Sequence, residues 1–174
     1  MRTTALLSVA LTCVSLASFA QEDIDSALRA YNSGDYQHAA KLLPPLAKKG
    51  HPVAQLKLGM MYYAGKGVSE NEKLAVEYLT KSAQQGNVEA MYQLGNAFTF
   101  GSETPKLAAD ADIEAAQWYF KAANNGSADA QYSLGLMFMA GKGVEKDKTE
   151  AARWMKMAAK NGHKEAQSFV NAAR

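Results

Sequence analysis

Ala54-Gln55-Leu56-Lys57-Leu58-Gly59, Ala90-Met91-Tyr92-Gln93-Leu94-Gly95 and Ala130-Gln131-Tyr132-Ser133-Leu134-Gly135 are three versions of one hexapeptide. Each is followed by a second stretch that closes on a glycine, at Gly86, Gly126 and Gly162. With Gly50 included, the closing glycines stand 36, 40 and 36 residues apart, and Gly59, Gly95 and Gly135 keep step at 36 and 40. The four extra residues of the middle unit fall in one place: Gly65 to Ala75 and Gly141 to Ala151 each span 10 steps, whereas Gly101 to Ala115 spans 14. A period of this size, with its insertion confined to one loop, marks a repeat protein whose units bury their apolar faces against one another.

Within each unit the apolar pattern predicts two helices. Ala54, Leu58, Met61 and Tyr62 recur at helical spacing, and Gly65-Lys66-Gly67-Val68 ends the run. A second helix starts near Asn71, with Ser69 and Glu72 at capping-box spacing as an alternative start, and carries Leu74, Ala75, Tyr78, Leu79 and Ala83. The third unit repeats this from Asp147 through Ala151, Trp154, Met155 and Ala158. In the second unit, Gly101-Ser102-Glu103-Thr104-Pro105 interrupts the pattern, and Asp110 and Asp112 are both suitable N-caps for the helix that follows.

A shorter unit precedes these three, since Ala39, Ala47 and Gly50 stand 36 residues ahead of Ala75, Ala83 and Gly86. Pro44-Pro45 lies inside its second helix, where proline removes backbone donors, so a kink or early end is expected there. After Gly162, residues 163–174 read as one last helix closing the stack. The expected fold is an all-α, right-handed solenoid of antiparallel helix pairs with about nine helices. Residues 21–174 form one domain, divided into units at 21–53, 54–89, 90–129 and 130–165, with 166–174 the end of a capping helix.

Residues 1–20 have the features of a secretory signal peptide: Arg2, the apolar run from Ala5 to Leu16, and the small-residue site Ser18-Phe19-Ala20. Cleavage after Ala20 would place the protein in the periplasm or outside the cell, and would remove Cys13, the single cysteine. The remaining chain then has no disulfide, thiol nucleophile or cysteine metal site. Its 18 basic and 17 acidic residues argue against general nucleic-acid affinity, and nothing beyond residue 20 is apolar for long enough to span a bilayer. Only Gly141 to Arg174 is mildly positive, with eight basic residues against four acidic, as a solvated helix face would be.

Gly59, Gly95 and Gly135 sit mid-helix, where glycine costs about 1 kcal/mol relative to alanine. Close approach by a neighbouring helix accounts for them, with Tyr62, Phe98 and Phe138 expected to fill the volume one turn later. Tyr78, Trp118 and Trp154 occupy the same phase of each unit, which fits packing between units better than a cofactor site.

In these features the segment from Ala54 to residue 165 resembles the Sel-one-like repeats, relatives of tetratricopeptide repeats. In that family Ala, Leu-Gly, an aromatic, Gly-x-Gly-Val, Ala, an aromatic pair and Ala-Ala-x-x-Gly recur. The second unit departs from it at Gly101-Ser102-Glu103-Thr104. The Gly34-Asp35-Tyr36 segment is similar to a shorter tetratricopeptide unit. The resemblance implies a non-enzymatic adaptor that holds a protein or peptide in a concave groove lined by the first helix of each unit. Exported bacterial members resembling it serve envelope regulation, surface assembly or neutralisation of toxic effectors, so an adaptor and an immunity protein are the competing roles. Cysteine-rich relatives are linked to penicillin-like compounds and peptidoglycan fragments, a role disfavoured without their bridging cysteines.

Helical phase then names the groove. With Leu58, Gly59 and Tyr62 facing the packed side, Leu56, Met60 and Tyr63 look away from it. Their counterparts are Tyr92, Asn96, Thr99 and Phe100, then Tyr132, Leu136 and Met139. The set is rich in Tyr and Met and poor in charge, as a protein-binding surface is, and part of it is expected to pack against second helices. A second copy of the chain is an alternative occupant. The loop from Ser102 to Asp112, which alone breaks the repeat, is the candidate source of individuality.

The chemistry of an enzyme is missing from the pattern. His38, His51 and His163 lie in different units near loops, with no ligand spacing to a carboxylate or second histidine, and are expected to be solvated. Gly65-Lys66-Gly67 and Gly141-Lys142-Gly143 are preceded by no strand and followed by no Gly-Lys-Ser/Thr run, unlike phosphate loops. Asn125-Gly126-Ser127 spells a sequon, but a helix end explains its Asn and Gly. No catalytic residue, cofactor or metal is assigned.

Overall fold

The computed structural model describes residues 23–101 and 103–172; the expected signal peptide and its cleavage site lie outside the described residues. Among the described residues are nine α-helices and no strand. The helices are α1 (residues 23–32), α2 (Tyr36–Lys48), α3 (Pro52–Ala64), α4 (Glu72–Gln84), α5 (Val88–Phe100), α6 (Ala111–Asn124), α7 (Ala128–Ala140), α8 (Lys148–Lys160) and α9 (Lys164–Ala172). A short 3₁₀ helix, Thr104–Leu107, occupies the middle loop. From α2 onward each helix packs against the next, most closely within the pairs α3–α4, α5–α6 and α7–α8. The first helices α3 and α5 also touch each other, which puts the first helices on the inner side of an all-α solenoid.

Local chemistry fixes the helix ends. Asn71, Asp110 and Asp147 each accept backbone N–H groups of the first turn, so Asp110 is the cap of α6 and the Ser69 start is not used. Gly65 and Gly141 end α3 and α7 in the left-handed region at φ +62° and +74°. Where α5 ends, Gly101 is extended instead (φ −65°, ψ 156°), and the chain turns into the inserted loop.

Contrary to expectation, α2 does not stop at Pro44-Pro45 but continues to Lys48. The carbonyls that the two prolines leave without donors, at Ala40 and Lys41, belong to a half-buried and an exposed residue. Burial of Leu43, Leu46 and Ala47 around the prolines holds the helix together.

The mid-helix glycines receive side chains from the second helix of their own pair. A Cβ on Gly59 would stand 2.9 Å from Leu79 Cγ, on Gly95 2.5 Å from the Tyr119 ring, and on Gly135 2.9 Å from Met155. The expected fillers Tyr62, Phe98 and Phe138 are therefore corrected. Tyr62 stacks on Tyr78 (5.9 Å, 3°), Phe138 meets Phe120 edge-on, and Phe98 is buried in the core of the second and third units. The second-helix aromatics are packing residues to differing degrees: Trp154 is 2% exposed and Tyr78 and Trp118 are half-buried. Lys121 lies 3.8 Å above the Trp118 ring and Arg153 4.2 Å above that of Trp154.

Two further periodic contacts join the units. Gln55 Nε2 donates to the Ala47 carbonyl (3.1 Å), Gln131 to that of Ala123 (3.0 Å) and Gln167 to that of Ala159 (3.1 Å). Gln85 and Asn161 in turn donate to the Gln55 and Gln131 side-chain oxygens, both at 2.8 Å. The second contact uses the start of each second helix to hold the loop of the next unit. Lys66 lies over the Tyr36 ring (5.3 Å), Glu72 takes the backbone of Thr104, and Asp112 pairs with Lys142 (3.1 Å).

Candidate protein-binding groove

The inner side of the stack carries the residues that α3, α5 and α7 turn away from their partner helices. Leu56 is not among them, which corrects its assignment to the groove. It is 4% exposed and packs with Leu79, Ala83, Ala90 and Leu94, because α3 meets both α4 and the following pair. Phase on a single helix does not reveal that second contact.

The other nine residues divide into two groups. Met60, Tyr63, Tyr92, Asn96, Thr99 and Tyr132 are half-buried, whereas Phe100 (74%), Leu136 (44%) and Met139 (39%) are exposed. Met60 and Tyr63, with Tyr31, Lys66 and Gln93, line a small pocket of about 120 Å³. Thr99, Phe100 and Leu136, with Tyr119, Met137 and Ala140, line a pocket of about 260 Å³. Tyr132 packs toward the next unit, where the His163 ring stacks on it at 4.1 Å.

Tyr119 gives the larger pocket a polar floor. Its ring passes over Gly95 from the outer helix α6, and its hydroxyl donates to Asn96 Oδ1 (2.8 Å) and lies 3.3 Å from Thr99 Oγ1. Burial is the main reason its phenol is pushed up to about 12. The neutral hydroxyl is thus a fixed hydrogen-bonding group in a mainly apolar wall that also carries Thr99, Ser133 and Lys142. The equivalent residues in the neighbouring units, Leu79 and Met155, offer no such group. Burial also raises the phenol of Tyr31 and, helped by the charges of Glu72 and Glu70, that of Tyr63.

The middle loop is anchored by Glu72, a residue the sequence reading assigned only to helix capping. Its Oε2 accepts from Glu103 N (2.9 Å), Thr104 N (2.6 Å) and Thr104 Oγ1 (2.7 Å), and both Glu72 and Thr104 are buried. The available signal was position: Tyr36, Glu72 and Asp112 stand 36 and 40 residues apart.

Histidine placement also differs from expectation. His38 is exposed, but His163 accepts from Ala166 N at the start of α9 and lies against Asp129 and Glu165 (3.6 and 3.3 Å), and the Nδ1 of His51 is buried. Both precede first helices, at the positions where Asn87 and Ser127 cap theirs. The Tyr132 ring stacked on His163 shields that imidazole. Among the described residues no three His, Cys, Asp or Glu side chains converge as a metal site would require, and no helix is long and apolar enough to cross a membrane.

Comparison with known proteins agrees with the repeat architecture. The Sel1 repeat family model matches residues 52–87, 88–127 and 128–163. A search of curated proteins returns no match. Among solved structures, a Sel1 repeat protein from Oxalobacter formigenes is 30% identical, with a TM-score of 0.69 over 81% of this chain and 56% of its own. A protective antigen of uropathogenic Escherichia coli with an SLR fold is 25% identical, with a TM-score of 0.73 over 88% of this chain and 33% of its own. The chain thus spans about half and a third of the length of these two. The cysteine rich protein B of Helicobacter pylori shares the fold at 24% identity, with a TM-score of 0.58.

Proposed function

The chain belongs to the Sel1 repeat family, and from that premise we propose that it is a non-enzymatic scaffold that captures a polypeptide along the inner face of its solenoid. The observation that carries this reading is the inner wall of the second and third units. Phe100 and Leu136 are exposed there and line a pocket shared with Tyr119, and Met139 is exposed on the same helix as Leu136. Apolar side chains left in water beside a few polar groups, the Tyr119 hydroxyl with Thr99, Ser133 and Lys142, suit recognition of a polypeptide segment that is mainly apolar with polar points. The proposal places this activity in the periplasm or outside the cell, in envelope regulation or assembly, supported by the signal-like composition of residues 1–20.

The test is site-specific photo-crosslinking in the host. A photoreactive residue at position 100 or 136 is expected to capture one and the same polypeptide, and at Gln117 on the outside of α6 to capture none. Crosslinks confined to position 117, or none to any polypeptide from the inner wall, would overturn the reading.

A further inference from the structure

Asn-Gly occurs twice in the chain, and both copies close a second helix: Asn125-Gly126 after α6 and Asn161-Gly162 after α8. The two corners share one backbone. Asn125 (φ −92°, ψ 16°) and Asn161 (φ −86°, ψ 10°) are the C-caps, Gly126 and Gly162 follow at φ +90° and +95°, and the glycine N–H groups donate to the Ala123 and Ala159 carbonyls. Both asparagines are exposed.

Their side chains are held differently. Asn161 Nδ2 donates to Gln131 Oε1 (2.8 Å), and Gln131, itself 1% exposed, is fixed through Nε2 to the Ala123 carbonyl (3.0 Å). The same bridge joins Gln85 to Gln55 in the first unit. At the corner between them it is missing, because Met91 stands where its neighbours have Gln55 and Gln131, and a thioether is a poor acceptor. Asn125 Nδ2 turns back instead to the Lys121 carbonyl of its own helix (2.8 Å), an exposed contact for which water competes.

Asparagine followed by glycine is the pairing in which the chain most readily attacks itself, because glycine has no Cβ to crowd the approach. The glycine amide nitrogen bonds to the asparagine Cγ and gives up its proton to water, and the side-chain nitrogen leaves as ammonia. Water then opens the five-membered imide at one of its two carbonyls, leaving aspartate or isoaspartate. The attack requires the carboxamide to leave its acceptor and turn toward the glycine nitrogen, so whatever holds the carboxamide sets the rate.

We infer that Asn125 is a site of spontaneous deamidation and that the bridge to Gln131 protects Asn161 from the same reaction. The product places a carboxylate beside the Lys121 carbonyl at the C-terminal end of α6, where negative charge is disfavoured. Isoaspartate also adds one carbon to the backbone of the α6–α7 corner. That corner joins the two units whose helices α5 and α7 share the Phe100 and Leu136 pocket.

The experiment incubates the full chain at mildly alkaline pH and follows aspartate and isoaspartate at residues 125 and 161 by peptide mapping and mass spectrometry. In the folded chain Asn125 is expected to convert at least about fivefold faster than Asn161, as the loss of one hydrogen bond allows. In concentrated urea the two rates are expected to converge. Met91→Gln is expected to slow Asn125, and Gln131→Met to speed Asn161 toward the rate of Asn125, with circular dichroism checking that both variants are folded. Equal rates in the folded chain, a faster Asn161, or an Asn125 rate that Met91→Gln leaves unchanged would overturn the inference. So would the same excess of Asn125 in urea, because that result assigns the difference to neighbouring residues and not to the bridge.

Discussion

The ring of Tyr119 lies so close over Gly95 that a single added methyl group would stand 2.5 Å from its Cδ1 and Cε1. That approach sets the spacing of α5 and α6 and delivers a hydroxyl from the outer helix to the inner wall, so packing and recognition share one residue. The rigid ring cannot yield as the unbranched, flexible Met155 side chain can.

Gly95→Ala is therefore expected to destabilise the protein by about 1–2 kcal/mol, because overpacking outweighs the helix propensity gained by alanine. Gly135→Ala, which meets the flexible Met155 at 2.9 Å, is expected to be close to neutral. Urea denaturation of both variants checks the order, and equal losses would refute it.

Tyr119 also predicts a pH dependence. Its phenol titrates near 12 in the folded chain against about 10 when unfolded. The stability it contributes is present below pH 10 and is lost as pH rises toward 12, by about 3 kcal/mol at most. Thermal melts from pH 9 to 12 should fall more steeply for the parent than for Tyr119→Phe, and parallel curves would remove the claim.

Loss of the Glu72 anchor should be local. In Glu72→Ala the buried amide and hydroxyl of Thr104 lose their acceptor, at a cost of about 2–4 kcal/mol. Hydrogen exchange at Glu103 and Thr104 should accelerate by at least about tenfold more than in α7. Uniform acceleration throughout the chain would indicate global destabilisation instead.

Met91 stands where the adjoining units have Gln55 and Gln131. Met91→Gln is expected to rebuild the bridge to the Ala83 carbonyl and raise stability by about 1 kcal/mol. A loss of 1 kcal/mol or more, read by the urea midpoint, would show that the Gln contact needs more than the repeat position.

The repeat and its helix ends were legible because they depend on local chemistry. The 36- and 40-residue spacing, the Asn71 and Asp147 caps and the glycines after α3 and α7 are each set within a few residues. Contacts between units were harder to read. Leu56 has the phase of an inner-face residue yet is buried by the next pair, and Glu72 finds its partners 31 and 32 residues downstream. The glycine notches were rightly tied to close approach, but the side chains that enter them come from the opposite helix, which no pattern within one helix encodes. Stacking of His163 on Tyr132 is a further contact from the next unit that phase on one helix does not encode.

Affinity capture from the native host with the chain and its Phe100→Asp/Leu136→Asp variant tests the central claim most directly. Both side chains already face water, so the melting temperature should stay the same, while the captured polypeptide should fall at least about tenfold. Capture of the same polypeptide at full strength by the folded variant would contradict binding along the inner face.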